Sequence, residues 1–313
     1  MTTGRYAPSP TGSLHLGNLR TAVAAWASAR ARGGRFLLRI EDLDRGRCRP
    51  GFEARQLADL TELGMTWDEA PRRQSERDKV YANMLETLVY LRLAYPCFCS
   101  RKEIAETLSA PHGPSANAYP GTCRTITHAD AEARLAAGER HSWRLRVDQA
   151  PPMFFDGFCG ECAFDLTRDG GDFVLRRADG FFSYQLACAV DDAMSGVDEV
   201  VRGDDLLDSG ARQAYLLACL GLPVPRYFHI PLLHGEDGRR LAKRIGSEDL
   251  QGFLGRGYDV PAVVGYLAHT LGQAAPGERL TLEQIAARWE PSRIPREAAV
   301  YRESDMQPFR PGA

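Results

Sequence analysis

Arg5-Tyr6-Ala7-Pro8-Ser9-Pro10-Thr11-Gly12-Ser13-Leu14-His15-Leu16-Gly17-Asn18 packs two prolines, two glycines and several small hydroxyl residues just ahead of an alanine-rich run. Small residues let a backbone approach a ligand closely. A helix opening there offers unpaired N–H groups and the positive end of its dipole, which suits the phosphates of a nucleotide. His15 is then placed to donate to charge developing on an α-phosphate. Spacing alone equally allows a plainer reading, a Pro/Gly loop capping a helix with a half-buried histidine.

Outward from this loop, residues 18–32 have helical spacing that stops at Gly33-Gly34, and Arg35 to Ile40 reads as a buried strand. Helical patterns follow at 53–63 and 76–93. Phe173 to Arg177, Glu199 to Arg202 and Tyr227 to Leu233 read as strands, separated by helical segments near 183–193 and 205–220. Such alternation favours an α/β fold with a parallel sheet. Between residues 97 and 170 the pattern changes to cysteines, prolines, glycines and one alternating strand, His141 to Val147, and reads as an insertion. Beyond Gly246 the chain turns helical again, with Pro261 to Leu271 and a helix beginning near Thr281, where Thr281 and Gln284 form a capping box. Residues after Tyr301 are expected to fray. The expected organisation is therefore 1–96 and 171–246 as two halves of one domain, 97–170 as the insertion and 247–313 as a helical C-terminal region.

The chain has 313 residues, 44% hydrophobic and 26% charged, the composition of an ordinary globular protein. No apolar run approaches the roughly 18 residues that a membrane span needs. Residues 1–10 have neither the apolar core of a secretory signal nor an arginine-rich transit pattern, so a cytoplasmic location and no membrane role are expected. Eight cysteines then argue for metal ligation and buried thiols rather than a disulfide framework. A net charge of -2 decides little, because a polyanion is met by a local basic patch, such as Arg239, Arg240, Lys243 and Arg244.

That basic patch is Gly238-Arg239-Arg240-Leu241-Ala242-Lys243-Arg244, which follows a strand. Phosphoryl chemistry is accelerated by positioning and by cations that neutralise spreading charge, so a mobile lysine-bearing loop suits it; alone, such a loop is more often a solvated turn. Together, His15-Leu16-Gly17-Asn18 and Arg240 to Arg244 resemble the paired HIGH and KMSKS signatures of class I aminoacyl-tRNA synthetases. The segments Arg5 to Gly12, Arg39-Ile40-Glu41-Asp42-Leu43-Asp44, Tyr184-Gln185-Leu186-Ala187 and Val201-Arg202-Gly203-Asp204-Asp205-Leu206-Leu207 resemble the glutamyl/glutaminyl subgroup. Two departures stand out. Ala242 replaces the usual serine of the lysine loop, and the sequence runs too short a way past that loop for the helical anticodon-binding domains of glutamyl-tRNA synthetases.

The resemblance is closest to the shortened paralogues that place glutamate on queuosine in tRNA(Asp). It implies a class I Rossmann-type core with a zinc-bearing insertion, and ATP (with Mg2+), L-glutamate and queuosine-bearing tRNA(Asp) as partners of a monomer. His15 and Lys243 are then catalytic, and His15, Gly17, Asn18 and Lys243 bind ATP. Glutamate presents two carboxylates and an ammonium, so Arg5 and Arg202 are the carboxylate partners, Glu41 meets the ammonium and Tyr184 closes the pocket, with Tyr6, Ala7, Pro8 and Ser9 completing it. Outside that context Arg202 reads as a surface ion pair, Glu41 as solvated and Tyr184 as core. Rival readings are a compact glutamyl-tRNA synthetase charging the CCA end, a small-molecule nucleotidyltransferase, and a silent zinc-bearing RNA-binding module.

Cys97-Phe98-Cys99 and Tyr119-Pro120-Gly121-Thr122-Cys123 match the family's Cys-x-Cys, Tyr-x-x-x-Cys arrangement, which carries a structural Zn2+ over onto Cys97, Cys99, Tyr119 and Cys123. Cys159-Gly160-Glu161-Cys162 has zinc-ribbon spacing and competes, with Cys97 and Cys99, for the same ion. His112 or His128 in place of Tyr119, and free thiols that bind nothing, stay open. Cys48, Cys188 and Cys219 read as core.

Overall fold

Strand β1 (Thr3–Tyr6) runs into the Pro/Gly loop, helix α1 (Leu16–Arg30) returns, and β2 (Arg35–Ile40) pairs parallel beside β1. The computed structural model describes residues 1–108, 119–148, 154–162, 166, 171–238, 241 and 249–310. Helix α1 starts at His15, whose Nδ1 accepts the Asn18 N–H while the Asn18 side chain accepts the His15 N–H, a closed capping box. Its alanines let it lie close to the sheet. Gly34 is required where α1 turns into β2, because a Cβ there would lie 2.4 Å from the Thr2 carbonyl oxygen.

The chain continues through α2 (Phe52–Glu62), β3 (Arg72–Arg73) and α3 (Asp78–Tyr90) to β4 (Ala94–Cys97). Then come α4 (Arg101–Leu108), α5 (His128–Ala136), β5 (Ser142–Leu145), β6 (Phe154–Asp156), β7 (Gly160–Cys162) and β8 (Val174–Arg176). The second run of the core is α6 (Tyr184–Met194), β9 (Glu199–Gly203), α7 (Leu207–Cys219), β10 (Arg226–Ile230) and β11 (Leu233–His234). The remainder is α8 (Leu250–Gly255), α9 (Val260–Thr270), α10 (Leu282–Ala287), β12 (Ala299–Val300) and α11 (Glu303–Met306).

Among the described residues the main sheet has seven strands in the order β3-β2-β1-β9-β10-β6-β7, every neighbouring pair parallel except the β6–β7 hairpin. Helix α1 with α9 and α10 covers one face, and α3, α6 and α7 cover the other. Period-two alternation sorts the strand residues between the two cores: Phe36, Leu38 and Val201 on one side, Leu37 and Val200 on the other. The strand order runs outward in both directions from β1 and β9, so their C-terminal ends form the topological switch point where α/β sheets bind ligands. No described helix is long and apolar enough to cross a membrane.

Several local expectations need correction. Arg5 and Tyr6, expected to open the entrance loop, are the last two residues of strand β1. The strand expected over Phe173 to Arg177 is antiparallel and belongs, with β4 and β5, to a separate three-stranded sheet. Within residues 97–170, β6 and β7 extend the main sheet beyond β10. The strand expected over Tyr227 to Leu233 breaks at Pro231, and β11 pairs with β12. The last described residues are not frayed: Met306 and Phe309 are fully buried, Phe309 against Tyr266 with ring centroids 5.7 Å apart. Their apolar side chains are three apart on one helical turn, too sparse a pattern to stand out among charged neighbours.

Candidate active site

A cavity of about 710 Å³ opens at the switch point. The structure brings to its walls Arg5, Tyr6, Ala7, Pro8, Ser9, His15, Gly17 and Asn18 from the entrance loop, together with Glu41, Tyr184 and Arg202. Lys243, Arg239, Arg240, Ala242 and Arg244 lie outside the described residues, but Leu241 lines the same cavity. The capping reading of His15 is seen in the geometry. Accepting the Asn18 N–H at Nδ1 (3.3 Å) caps α1, and it requires that the ring proton sit on Nε2. Gly17 permits this fold-back, since a Cβ there would lie 3.1 Å from His15 Cε1. The Tyr6 hydroxyl donates to the Asn18 carbonyl at 3.2 Å and ties β1 to the first turn of α1.

The cavity floor is a buried ion network that was not foreseen. Arg5 donates to both carboxylate oxygens of Asp192 at 3.2 and 3.5 Å, and Arg39 donates to Asp192 Oδ1 at 2.5 Å. Asp192 is fully buried; burial alone would raise its pKa, but Arg39 and Arg5 hold it below the usual carboxylate range. Arg39 also donates to Glu41 Oε1 at 3.0 Å, and the Cys188 thiol donates to the same oxygen at 3.0 Å. Glu41 is thus held by the floor, its side chain only 12% exposed, rather than solvated. Burial, with Glu41 beside it, pushes the Cys188 thiol well up, so it serves as a neutral donor and is more than core filling.

Arg202 is 5% exposed, which is not the surface position expected, and among the described residues it is in no ion pair. Its Nε donates to His229 Nε2 at 2.9 Å, Nη1 to Gln213 Oε1 at 2.9 Å and Nη2 to the Leu206 carbonyl at 3.3 Å; Tyr184 Oη lies 3.5 Å from Nη1. Tyr184 is the first residue of α6, whose cap is Ser183, and burial pushes its phenol well above the ordinary value. Sequence reading missed Arg39, Cys188, Asp192, Gln213 and His229. The available signal was chemical: Asp191-Asp192 end an otherwise apolar helical run, and Arg39 and His229 interrupt apolar strands, positions where a charge needs a buried partner.

On the other sheet, at the end of β4, Cys97, Cys99 and Cys123 place their sulfurs within 4.8 Å of one another. Tyr119 Oη lies 3.2 Å from Cys97 Sγ and 3.5 Å from Cys99 Sγ, and Cys99 Sγ lies 3.5 Å from Cys123 Sγ. A tetrahedral zinc with metal–sulfur bonds of about 2.3 Å has edges of roughly 3.8 Å, so these four donors fit the ion closely. Burial opposes charge on Cys97, but hydrogen bonds from Tyr119 and Arg144 hold its thiol below the ordinary value; burial pushes Cys99 up to about 11. Cys159 and Cys162 do not join the cluster, because their hairpin belongs to the main sheet, where Cys159 Sγ faces the His229 carbonyl at 3.7 Å. His128 is exposed and paired with Glu132 on α5, and His112 lies outside the described residues.

Residues 1–290 match the family described as tRNA synthetases class I (E and Q), catalytic domain. The chain is 46% identical over 307 residues to the glutamyl-Q tRNA(Asp) synthetase of Symbiobacterium thermophilum, covering 95% of each chain. It is 46% identical over 303 residues to that of Nocardia farcinica, covering 97% of this chain and 94% of the relative. Among solved structures, the glutamate-tRNA synthetase of Elizabethkingia anophelis superposes with a TM-score of 0.86 at 27% identity, covering 97% of this chain and 69% of the other. With the cavity at the switch point and a family match over nearly its whole length, the chain belongs to the class I tRNA synthetases of the glutamyl and glutaminyl group.

Proposed function

We propose that this chain activates L-glutamate with ATP and transfers it to queuosine in the anticodon of tRNA(Asp). The observation that carries the reading is the single cavity in which an arginine pair, an acid and a capped helix N-terminus converge. Arg5 and Arg202 take the two carboxylates of glutamate, Glu41 takes the ammonium, and Tyr184 with Tyr6, Ala7, Pro8 and Ser9 closes the walls. ATP, with Mg2+, lies at the start of α1 against His15, Gly17 and Asn18, and Lys243 contributes its positive charge. The α-carboxylate of glutamate attacks the α-phosphorus, and pyrophosphate leaves while His15 Nε2–H and Lys243 bear the developing charge. A queuosine hydroxyl then attacks the activated carbonyl, the ester forms, and AMP leaves. No protein nucleophile is needed.

In this reading Cys97, Cys99, Tyr119 and Cys123 hold a structural Zn2+, which braces the β4–β5–β8 sheet and takes no part in the chemistry. The protein works as a cytoplasmic monomer, with residues 97–170 inserted between the two halves of the core, their β6–β7 hairpin joining the main sheet, and 247–313 appended. The identity of the relatives supports queuosine as acceptor. Likeness to glutamate-tRNA synthetases favours one second reading, charging of the CCA end. Glutamate transfer to tRNA(Asp) prepared with and without queuosine, and with its terminal adenosine removed, separates them. The expected result is transfer only to the modified tRNA, undiminished by loss of the adenosine; transfer that depends on the adenosine instead would sink the proposal.

A further inference from the structure

Three adjacent parallel strands each contribute one residue to a buried line behind the cavity. In the β9–β10 register His229 stands directly beside Arg202, and in the β10–β6 register Asp156 pairs with Tyr227, two residues before His229 on the same face. Asp156 and His229 are fully buried. Asp156 Oδ2 lies 2.6 Å from His229 Nδ1, and His229 Nε2 lies 2.9 Å from Arg202 Nε. An arginine Nε–H can only donate, so Nε2 must accept and the imidazole proton must sit on Nδ1, where it donates to Asp156. Nothing here can rotate freely. The imidazole stacks on Tyr227, with centroids 5.8 Å apart and planes 8° from parallel, and the Arg202 guanidinium lies 5.1 Å from the same ring centroid. On the far side Gly210 of α7 leaves just enough room, since a Cβ there would lie 2.9 Å from His229 Cε1.

We infer that Asp156 and His229 are positioning residues for glutamate recognition, fixing the imidazole in its Nδ1–H form so that Arg202 presents its guanidinium to the cavity in one orientation. The inference rests on the assignment of Arg202 to glutamate made above. Asp156 is locked in turn: its Oδ1 accepts the N–H groups of Phe158 and Cys159, each at 2.9 Å, and the His229 N–H approaches both oxygens. An anchor in the β6–β7 hairpin, outside the cavity, thereby sets the direction of a binding group inside it. Burial lowers the His229 pKa below 6.5, with Arg202 and Arg5 acting the same way and Asp156 opposing them, which agrees with a neutral ring.

Asp156→Asn should reverse the order of donors. Its amide oxygen stays with the backbone N–H groups, its NH2 faces Nδ1, and the ring proton moves to Nε2, where it opposes the Arg202 Nε–H. The test measures glutamate-dependent pyrophosphate exchange and 15N NMR of the histidine rings in the full chain. We expect a wild-type Nδ1–H resonance that His229→Leu removes. The KM for glutamate should rise about tenfold or more in Asp156→Asn and His229→Leu, with the KM for ATP unmoved. His229→Gln, which keeps an acceptor toward Arg202 and a donor toward Asp156, should recover most of the loss. An Nε2–H or doubly protonated ring in the wild type, or folded Asp156→Asn and His229→Leu proteins with unchanged glutamate KM, overturns the inference. Arg202→Ala separates the two levels. If it raises the glutamate KM while the His229 variants do not, the positioning line alone fails; if it leaves that KM unchanged, the pocket assignment fails and the line with it.

Discussion

The cavity floor and the cysteine cluster both gather residues from distant parts of the chain, but they balance charge in opposite ways. On the floor, Asp192 sits between Arg5 and Arg39, and Glu41 is held by Arg39, so each buried charge already has a partner within the protein. In the cluster three thiols and a phenol crowd together, with Arg144 stacked over the Tyr119 ring at 3.9 Å. Thiols packed this way repel one another as they ionise, unless a cation joins them. The floor is preorganised by the fold; the cluster has an arrangement compatible with an ion.

Metal removal should separate the two regions most sharply. Structural zinc sites have apparent binding free energies on the order of 10 kcal/mol, so chelation or Cys97→Ser is expected to strip hydrogen-exchange protection from β4 and β5 while β2 keeps its own. Equal loss in both sheets would mean that the cluster braces the whole molecule. The floor is broken instead by Asp192→Leu, which leaves Arg5 and Arg39 buried without their shared acid. Chemical denaturation should register a loss of about 3–5 kcal/mol. Arg202→Ala should then raise the glutamate KM about a hundredfold, as expected when charge-assisted hydrogen bonds to a carboxylate are lost, and lower stability by about 1–3 kcal/mol, because His229 Nε2 and Gln213 Oε1 lose their buried donor.

His15 allows a finer cut, because its two roles use different nitrogens. His15→Asn keeps an N-cap but removes the Nε2–H donor, so adenylate formation should fall while the melting temperature holds; His15→Ala should lose a further ~1 kcal/mol of stability. The smallest effect is on pH dependence. Folding holds His229 below 6.5, so between its folded value and 6.5 the unfolded chain binds more protons, and stability declines as pH falls through that window. Asp156 also titrates low and acts in the same direction lower down. Denaturation midpoints at pH 7 and in mild acid, compared with His229→Gln, should show the flatter dependence in the variant.

Locally encoded features were legible in the sequence. Helix α1 and strand β2 follow from spacing and the Gly33-Gly34 stop, and the Thr281/Gln284 capping box is formed as the residue pattern implied. The entrance loop, Glu41, Tyr184 and Arg202 were picked out by motif, and the structure gathers them around one cavity. What stayed hidden depends on long-range pairing. Arg39 meets Asp192 across 153 positions, and His229 meets Asp156 across 73, separations that carry no periodic signal. Strand β1 is only four residues long, and its motif-rich continuation masks it. The β6–β7 hairpin lies in a cysteine-rich stretch whose composition pointed to the metal instead of to the sheet.

The buried C-terminal turn has a practical consequence. Met306 and Phe309 share a core with the residues of α1, the helix whose first turn borders the cavity, and Tyr301 packs edge-on against both Phe253 and Tyr266. A fragment stopped after α10 would therefore bare the aromatic face of α8 and α9, in the core that α9 shares with α1. Attempts to trim this scaffold to a minimal catalyst should remove surface loops and leave that closing buckle in place.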